Sequence, residues 1–214
     1  MAAFNVLVLI GLGLAITVAY GRTVRKPRMW SDCTSSDSPV KITHLDISPS
    51  PVTLPGDMFF SLKGYSNRTM GSSRLILNIV RRLQSWPYIE VPIPCFFNIG
   101  SCTYADMCTL LDEMVASNWL GISRQVGQGI QRMLEDSGVT PGLCPQPPQV
   151  ITIDKRPLPL PTIPPALYWF AEGLYRAHVR VIDNSNGQEL SCIHVDIEMK
   201  RSRQRCSSWF GCLF

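Results

Sequence analysis

The sequence predicts a mainly β fold, with strands joined by turns and a short helical insert, and three observations carry that prediction. Of 214 residues, 45% are hydrophobic and only 17% are charged, so a core can be built and a disordered chain is excluded. Seventeen prolines, about 8% of the chain against a norm of roughly 5%, disfavour a helical bundle and suit strands with turns. The apolar runs Leu174–Ile182 and Leu190–Met199 alternate with period two, as half-buried strands do. The length fits one domain. The net charge of +4 is too small to imply a nucleic-acid partner, and basic residues gather only at Arg22–Arg28 and Lys200–Arg205.

Residues 1–21 carry no charged side chain, and Val6–Tyr20 is an apolar run of signal-peptide length. Ala19 and Gly21 place small residues at −3 and −1 of a cut after Gly21. The alternative is an uncleaved anchor, but 15 residues fall short of the ~20 that span a bilayer. The expected division is therefore a signal peptide at 1–21, a β domain at 22–200 with a helical insert at 103–138, and a basic, cysteine-containing tail at 201–214.

Val40–Ile47 reads as a strand with an irregularity near His44, and Pro49, Pro51, Pro55 and Gly56 punctuate the following turn. Met58–Tyr65 and Leu75–Leu83 are β-rich runs separated by a turn at Asn67–Gly71. Tyr88–Ile93 alternates with prolines suited to an edge, and Val150–Ile153 is a short strand. In the last two strands Tyr175, Ala177, Val179 and Val181 match Ile193, Val195, Ile197 and Met199, all odd-numbered. If both sets share the buried face, opposed numbers sum to an even value, which a two-residue turn forbids. A three-residue loop, Ser185-Asn186-Gly187 with Gly187 left-handed, satisfies the parity and sets His178 opposite His194 and Arg176 opposite Asp196.

The insert shows helical spacing at Met107, Leu111, Met114 or Val115, Ile122, Val126, Ile130 and Met133. Thr103 and Asp106 resemble a capping box. Asn118 and the glycines at 121, 127 and 129 interrupt or weaken the pattern, which predicts two consecutive helices, the second ended by Gly138 and Pro141.

All eight cysteines lie beyond the apolar leader, at 33, 95, 102, 108, 144, 192, 206 and 212. An even number in a chain entering an oxidising lumen reads as disulfides, and no Cys-x-x-Cys spacing favours zinc. Asn67-Arg68-Thr69 is the one sequon for N-glycosylation. A lumenal or extracellular location follows from these features.

The chemical inventory argues against an enzyme. The chain has no Gly-x-Ser-x-Gly elbow, no His-Glu-x-x-His and no phosphate-cradling glycine loop, and neither a cofactor nor a metal is expected. Aromatic residues instead populate Pro-rich connections: Phe59-Phe60, Phe96-Phe97, Trp86 beside Pro87, and Tyr168-Trp169-Phe170 after the Pro157–Pro165 segment. They either fold back to cap the core or form an apolar mouth around an internal cavity. On the second reading Phe60, Phe96, Tyr168, Trp169 and Phe170 contact lipid. Burial of acyl chains, favourable by about 0.8 kcal/mol per methylene, supplies affinity without a catalytic group.

Trp30-Ser31-Asp32-Cys33, Leu54-Pro55-Gly56, Ile93-Pro94-Cys95, Ile99-Gly100-Ser101-Cys102, Cys108, Leu111-Asp112, Cys144-Pro145 and Leu190-Ser191-Cys192-Ile193 resemble the ganglioside GM2 activator family of ML-type lipid-recognition proteins. The likeness runs from about Trp30 to Lys200. It implies a cup-shaped antiparallel β-sandwich with an apolar lipid cavity. It also implies a lysosomal or secreted, non-enzymatic protein that lifts a glycosphingolipid or other lipid from a membrane surface and presents it to a soluble lysosomal β-hexosaminidase. The same resemblance implies the pairs Cys33–Cys192, Cys95–Cys102 and Cys108–Cys144, and leaves Cys206 and Cys212 to pair with each other. A longer helical insert at Ser117–Gly138 replaces the family's extra short-range bridge, and the Asn67 sequon departs from the family's placement. A secreted protein-interaction module with a vestigial cavity is the alternative.

Overall fold

The computed structural model describes residues 29–83, 89–164 and 172–202. Among these, strands assemble into two sheets. The larger contains β1 (Trp30–Asp32), β3 (Val52–Leu54), β5 (Ser73–Leu83), β6 (Ile89–Ile93), β7 (Thr103–Tyr104), β9 (Gly173–Asp183) and β10 (Glu189–Arg201). Its main order is β1-β10-β9-β5-β6, all antiparallel, with β7 also pairing β5 and β3 running parallel to β10. The smaller sheet, β2 (Val40–Ser48), β4 (Gly56–Ser66) and β8 (Gln149–Leu160), is antiparallel with β4 at its centre.

The β9–β10 register places His178 opposite His194 and Arg176 opposite Asp196, as parity predicts. Arg176 grips Asp196 through two bonds of 2.8 and 3.0 Å on the outer face. The turn differs from the expected one. A register shift between Glu189 and Ser191 takes up one residue, so Glu189 faces Ile182. The ladder closes where the Gly187 N–H donates to the Asp183 carbonyl, with Gly187 at φ 73. A bulge can supply the odd residue that parity assigns to the loop.

β2 carries a register shift between Ile42 and His44, where the sequence suggests an irregularity. β8 continues well past Ile153, through Pro157 and Pro159 to Leu160. It is paired to β4 alone, and an edge strand has an unpaired side on which a missing N–H costs no ladder bond.

Two helices follow β7, α1 (Met107–Ser117) and α2 (Ser123–Asp136), joined by a 3-10 turn at Trp119–Gly121. Asn118, Leu120 and Gly121 have φ of 44, 51 and 73, so the break lies at the predicted interruption. The cap is Asp106 rather than Thr103: its carboxylate accepts from the Cys108 N–H at 2.9 Å, while Thr103 pairs with Ile76 in the sheet. Gly127 and Gly129 do not end α2. A Cβ on Gly127 would lie 3.1 Å from Val115, and one on Gly129 2.4 Å from Leu158, so they let α2 sit close on α1 and β8.

The sheets meet along one side. Leu45 and Ile47 of β2, Val52 of β3 and Val195 of β10 form a packed core there. On the other side α2 packs on β8 through Met133, Ile153 and Leu158. The sheets thus splay apart between a filled edge and a helical wall, and the result is a cup-shaped antiparallel β-sandwich.

Three disulfides pin the cup: Cys33–Cys192, Cys95–Cys102 and Cys108–Cys144, the pairs that the resemblance implies. On a loop-entropy model the first, spanning 159 residues, contributes about 5 kcal/mol and the second, spanning 7, about 2.5 kcal/mol. Cys206 and Cys212 lie outside the described residues, as do the leader 1–21 and most of the tail.

Candidate functional site

The space between the splayed sheets is hollow. Its larger chamber, of about 740 Å³, lies between the inward residues of β5 and the two helices. Leu75 and Leu77 of β5 face Leu111 and Met114 of α1 and Val126 and Ile130 of α2 across it. A smaller chamber of about 320 Å³ continues toward the opposite end of β9 and β10, lined by Tyr175, Ala177, Ile197 and Met199. Ile79, Ile99, Gly100 and Ile122 border both chambers, so the two lie side by side. Odd-numbered positions of β5, β9 and β10 line the hollow through strand alternation, and Leu190 joins them at the register shift between Glu189 and Ser191.

Three polar side chains at its edge are satisfied within the protein. The Tyr104 hydroxyl donates to the Asn98 carbonyl at 2.8 Å while its ring stacks on Trp119 at 5.7 Å. The Ser123 hydroxyl donates to the Met114 carbonyl at 2.7 Å. The Gln146 amide serves the Thr140 and Leu143 carbonyls. Burial raises the phenol pKa of Tyr104 and, against the lowering effect of Arg81, that of Tyr175. Both stay neutral at any physiological pH, so the hollow offers methylene and aromatic surface with no fixed charge on these rings.

Aromatics mark its rim. Phe96 lines the smaller chamber and is 50% exposed, and Phe97 beside it is 66% exposed. Their rings meet edge to face at 4.5 Å. Phe97 and Asn98 adopt φ of 47 and 59, a conformation unfavourable for a bulky residue such as phenylalanine. The Cys95–Cys102 bridge and the reciprocal bonds between Phe96 and Ile99 hold the loop in that shape. Strained backbone sustained by a cross-link is a feature of binding loops.

Phe60 takes a different place. It packs against both core clusters, with Leu45 and Ile47 on one side and Ile153 and Leu158 on the other, and borders neither chamber. Tyr168, Trp169 and Phe170 lie outside the described residues. The helical lining from Leu111, Met114, Ile122, Val126 and Ile130 was legible as a helix pattern, but nothing local says that its apolar stripe faces a void.

His178 and His194 stack at 4.4 Å on the outer face. Burial first, then electrostatic repulsion from the neighbouring His194 ring and from Arg180, lowers the His178 pKa, and Glu189 partly opposes this. Its Nε2 lies 3.3 Å from Cys192 Sγ. Cys33, His178 and Cys192 form a cluster of metal-ligating types, but the two sulfurs are bonded to each other and offer no thiolate. Among the described residues no serine hydroxyl is hydrogen-bonded to a histidine.

The ML domain family model matches residues 28–199. The ganglioside GM2 activator of Mus musculus is 28% identical over 207 residues, covering 94% of this chain and 99% of that protein. Its counterpart from Macaca fascicularis is 26% identical over 196 residues, covering 90% and 95%. Among solved structures, a Niemann-Pick type C2 protein from the Japanese carpenter ant aligns with a TM-score of 0.38 and 12% identity, over 80% of this chain and 98% of that one. With a family match over four fifths of its length, the chain belongs to the ML domain family.

Proposed function

We propose that this protein is a non-catalytic lipid-binding and lipid-transfer protein of the lysosome or extracellular space. It lifts a glycosphingolipid, a ganglioside in the first instance, from a membrane and presents the sugar head to a soluble β-hexosaminidase. The observation that carries this reading is the two-chambered apolar hollow, open to solvent and edged by Phe96. A soluble hydrolase reaches poorly a sugar that lies close to a bilayer. Withdrawing the acyl tails into protein exposes the head and keeps the lipid in solution, with about 0.8 kcal/mol gained per buried methylene. The names of the two GM2 activator relatives support the ganglioside and the activator role. In this reading residues 1–21 direct the chain into the lumen, Cys206 pairs with Cys212 in the tail, and Tyr168, Trp169 and Phe170 join Phe96 at the mouth.

Native mass spectrometry of the secreted protein tests the cargo: the expected spectrum carries a lipid adduct. Incubation with vesicles containing labelled ganglioside should move label into soluble complexes, and added β-hexosaminidase should then cleave the head faster than from vesicles alone. Folded protein that carries no lipid and extracts none refutes the reading. Extraction without faster cleavage refutes the hydrolase partner alone.

A further inference from the structure

The outer face of the smaller sheet carries an apolar pair that the hollow does not use. Tyr65 of β4 and Val150 of β8 oppose each other in the register. They are 42% and 74% exposed, Val150 being the second residue of β8. Lys41 flanks Tyr65 on the side of β2.

Asn67 stands two residues beyond Tyr65. Its N–H donates to the Pro39 carbonyl at 3.0 Å, which carries the β2–β4 ladder one rung past the Val40–Ser66 pair. Asn67 lies one residue past the end of β4, and the strand's alternation, carried on by that bond, sets it on the same outer face as Tyr65, about 7 Å away. Asn67 and Thr69 are both exposed. The turn that carries them is fixed: the Ser66 hydroxyl donates to the Arg68 carbonyl at 2.6 Å, and the Arg68 guanidinium pairs with Asp183 at 3.1 Å.

We propose that Asn67 carries an N-linked glycan whose first N-acetylhexosamine lies flat on the Tyr65 ring and covers the Tyr65–Val150 pair. Asn67-Arg68-Thr69 supplies the acceptor amide and the hydroxyl that the transfer requires. In that transfer the Asn67 amide nitrogen bonds to the anomeric carbon of a lipid-diphosphate-linked oligosaccharide. The sugar–oxygen bond breaks, the amide loses one proton, and the lipid diphosphate leaves. A pyranose of this kind has one face of aligned C–H groups, weakly positive, which suits the negative face of a phenol ring. The distance along the strand is about that of one sugar unit, so the stacked position needs no rearrangement of β4. The patch is then the seat of the protein's own modification. The proposal rests on passage through the secretory lumen, and not on which lipid fills the hollow.

The test uses the full chain secreted from mammalian cells. Peptide mapping after enzymatic deglycosylation in heavy-oxygen water should mark Asn67, and the Asn67→Gln variant should lose the corresponding mass. Melting temperatures are then compared with and without the glycan, in the parent and in Tyr65→Thr, which keeps a strand-forming side chain. The glycan should raise the melting temperature of the parent by about 2–4 °C, and this rise should vanish in Tyr65→Thr. Val150→Thr, which should shrink the rise, replaces Tyr65→Thr if that variant does not fold. Protein bearing no sugar at Asn67, whether exported or retained, overturns the proposal. So does a glycan that stabilises nothing, or one that stabilises equally with and without Tyr65.

Discussion

Replacing Phe96 with serine and Phe97 with asparagine removes the described aromatic rim and leaves the loop beneath it in place. Asparagine tolerates the left-handed conformation that Phe97 holds at φ 47, and the Cys95–Cys102 bridge is untouched. A phenylalanine side chain presents about 200 Å² in full, so exposures of 50% and 66% correspond to about 230 Å² of accessible apolar surface. Withdrawn wholly from water this is worth about 6 kcal/mol at 25 cal/mol per Å². A rim resting at the headgroup boundary buries about half of it, roughly 3 kcal/mol, which is a factor of about a hundred in membrane partitioning. Because both rings are exposed, the change in folding stability should stay within about 0.5 kcal/mol. Co-sedimentation with anionic vesicles and the initial rate of lipid extraction measure the effect, with thermal melting as the control. A double variant that binds and extracts like the parent refutes a role for this rim in taking lipid from the membrane. A large fall in melting temperature shows instead that the rings cap the core.

Three further outcomes are expected. In a series of single-chain lipids, affinity should rise about fourfold per methylene until both chambers are filled and then level off, as read by displacement of a fluorescent fatty acid; a flat series counts against a chain-binding hollow. Gly129→Ala gains about 1 kcal/mol of helix propensity but loses about 1–3 kcal/mol to the contact with buried Leu158. Chemical denaturation should therefore show a net loss in the parent and a gain of about 1 kcal/mol in a Leu158→Ala background, and the same sign in both would show that α2 does not press on β8. The pKa of His178 is lower in the folded protein than in the unfolded chain, so between those two values the unfolded state binds more protons. Its contribution to stability is thus complete above about pH 6.5 and falls as the pH drops through the folded value. The melting temperature of His178→Gln should change less than that of the parent across this window. The depressed carboxyl of Asp183, held low chiefly by the Ser185 hydroxyl, acts below its ordinary value of 3.8 and leaves the window clear.

Much of the fold could be read from the residues because it rests on local rules. Alternation in Leu174–Ile182 and Leu190–Met199 set the buried parity and the His178–His194 pairing, and 3.6-residue spacing marked the helices with their break at Asn118. Period and turn chemistry act over a few residues, so they survive without knowledge of the fold. Where local rules failed, a distant partner had won. Gly127 and Gly129 weaken a helix by propensity, yet α2 needs them because Val115 and Leu158 stand where side chains would be. Thr103 was drawn from a cap into a ladder with β5. Phe60 and Phe96 belong to similar apolar runs, but one fills the core and the other edges the hollow. The hollow itself has no signature along the chain. It is the gap left when Leu77, Val126 and Ile197, residues far apart in sequence, are held at a distance by a packed edge on one side and a helical wall on the other. Sequence alone determined which side chains are apolar and which way neighbours alternate. Only the closure of the two sheets decided that these apolar faces would surround empty space rather than meet, because packing distance is set by long-range contacts that no local segment contains.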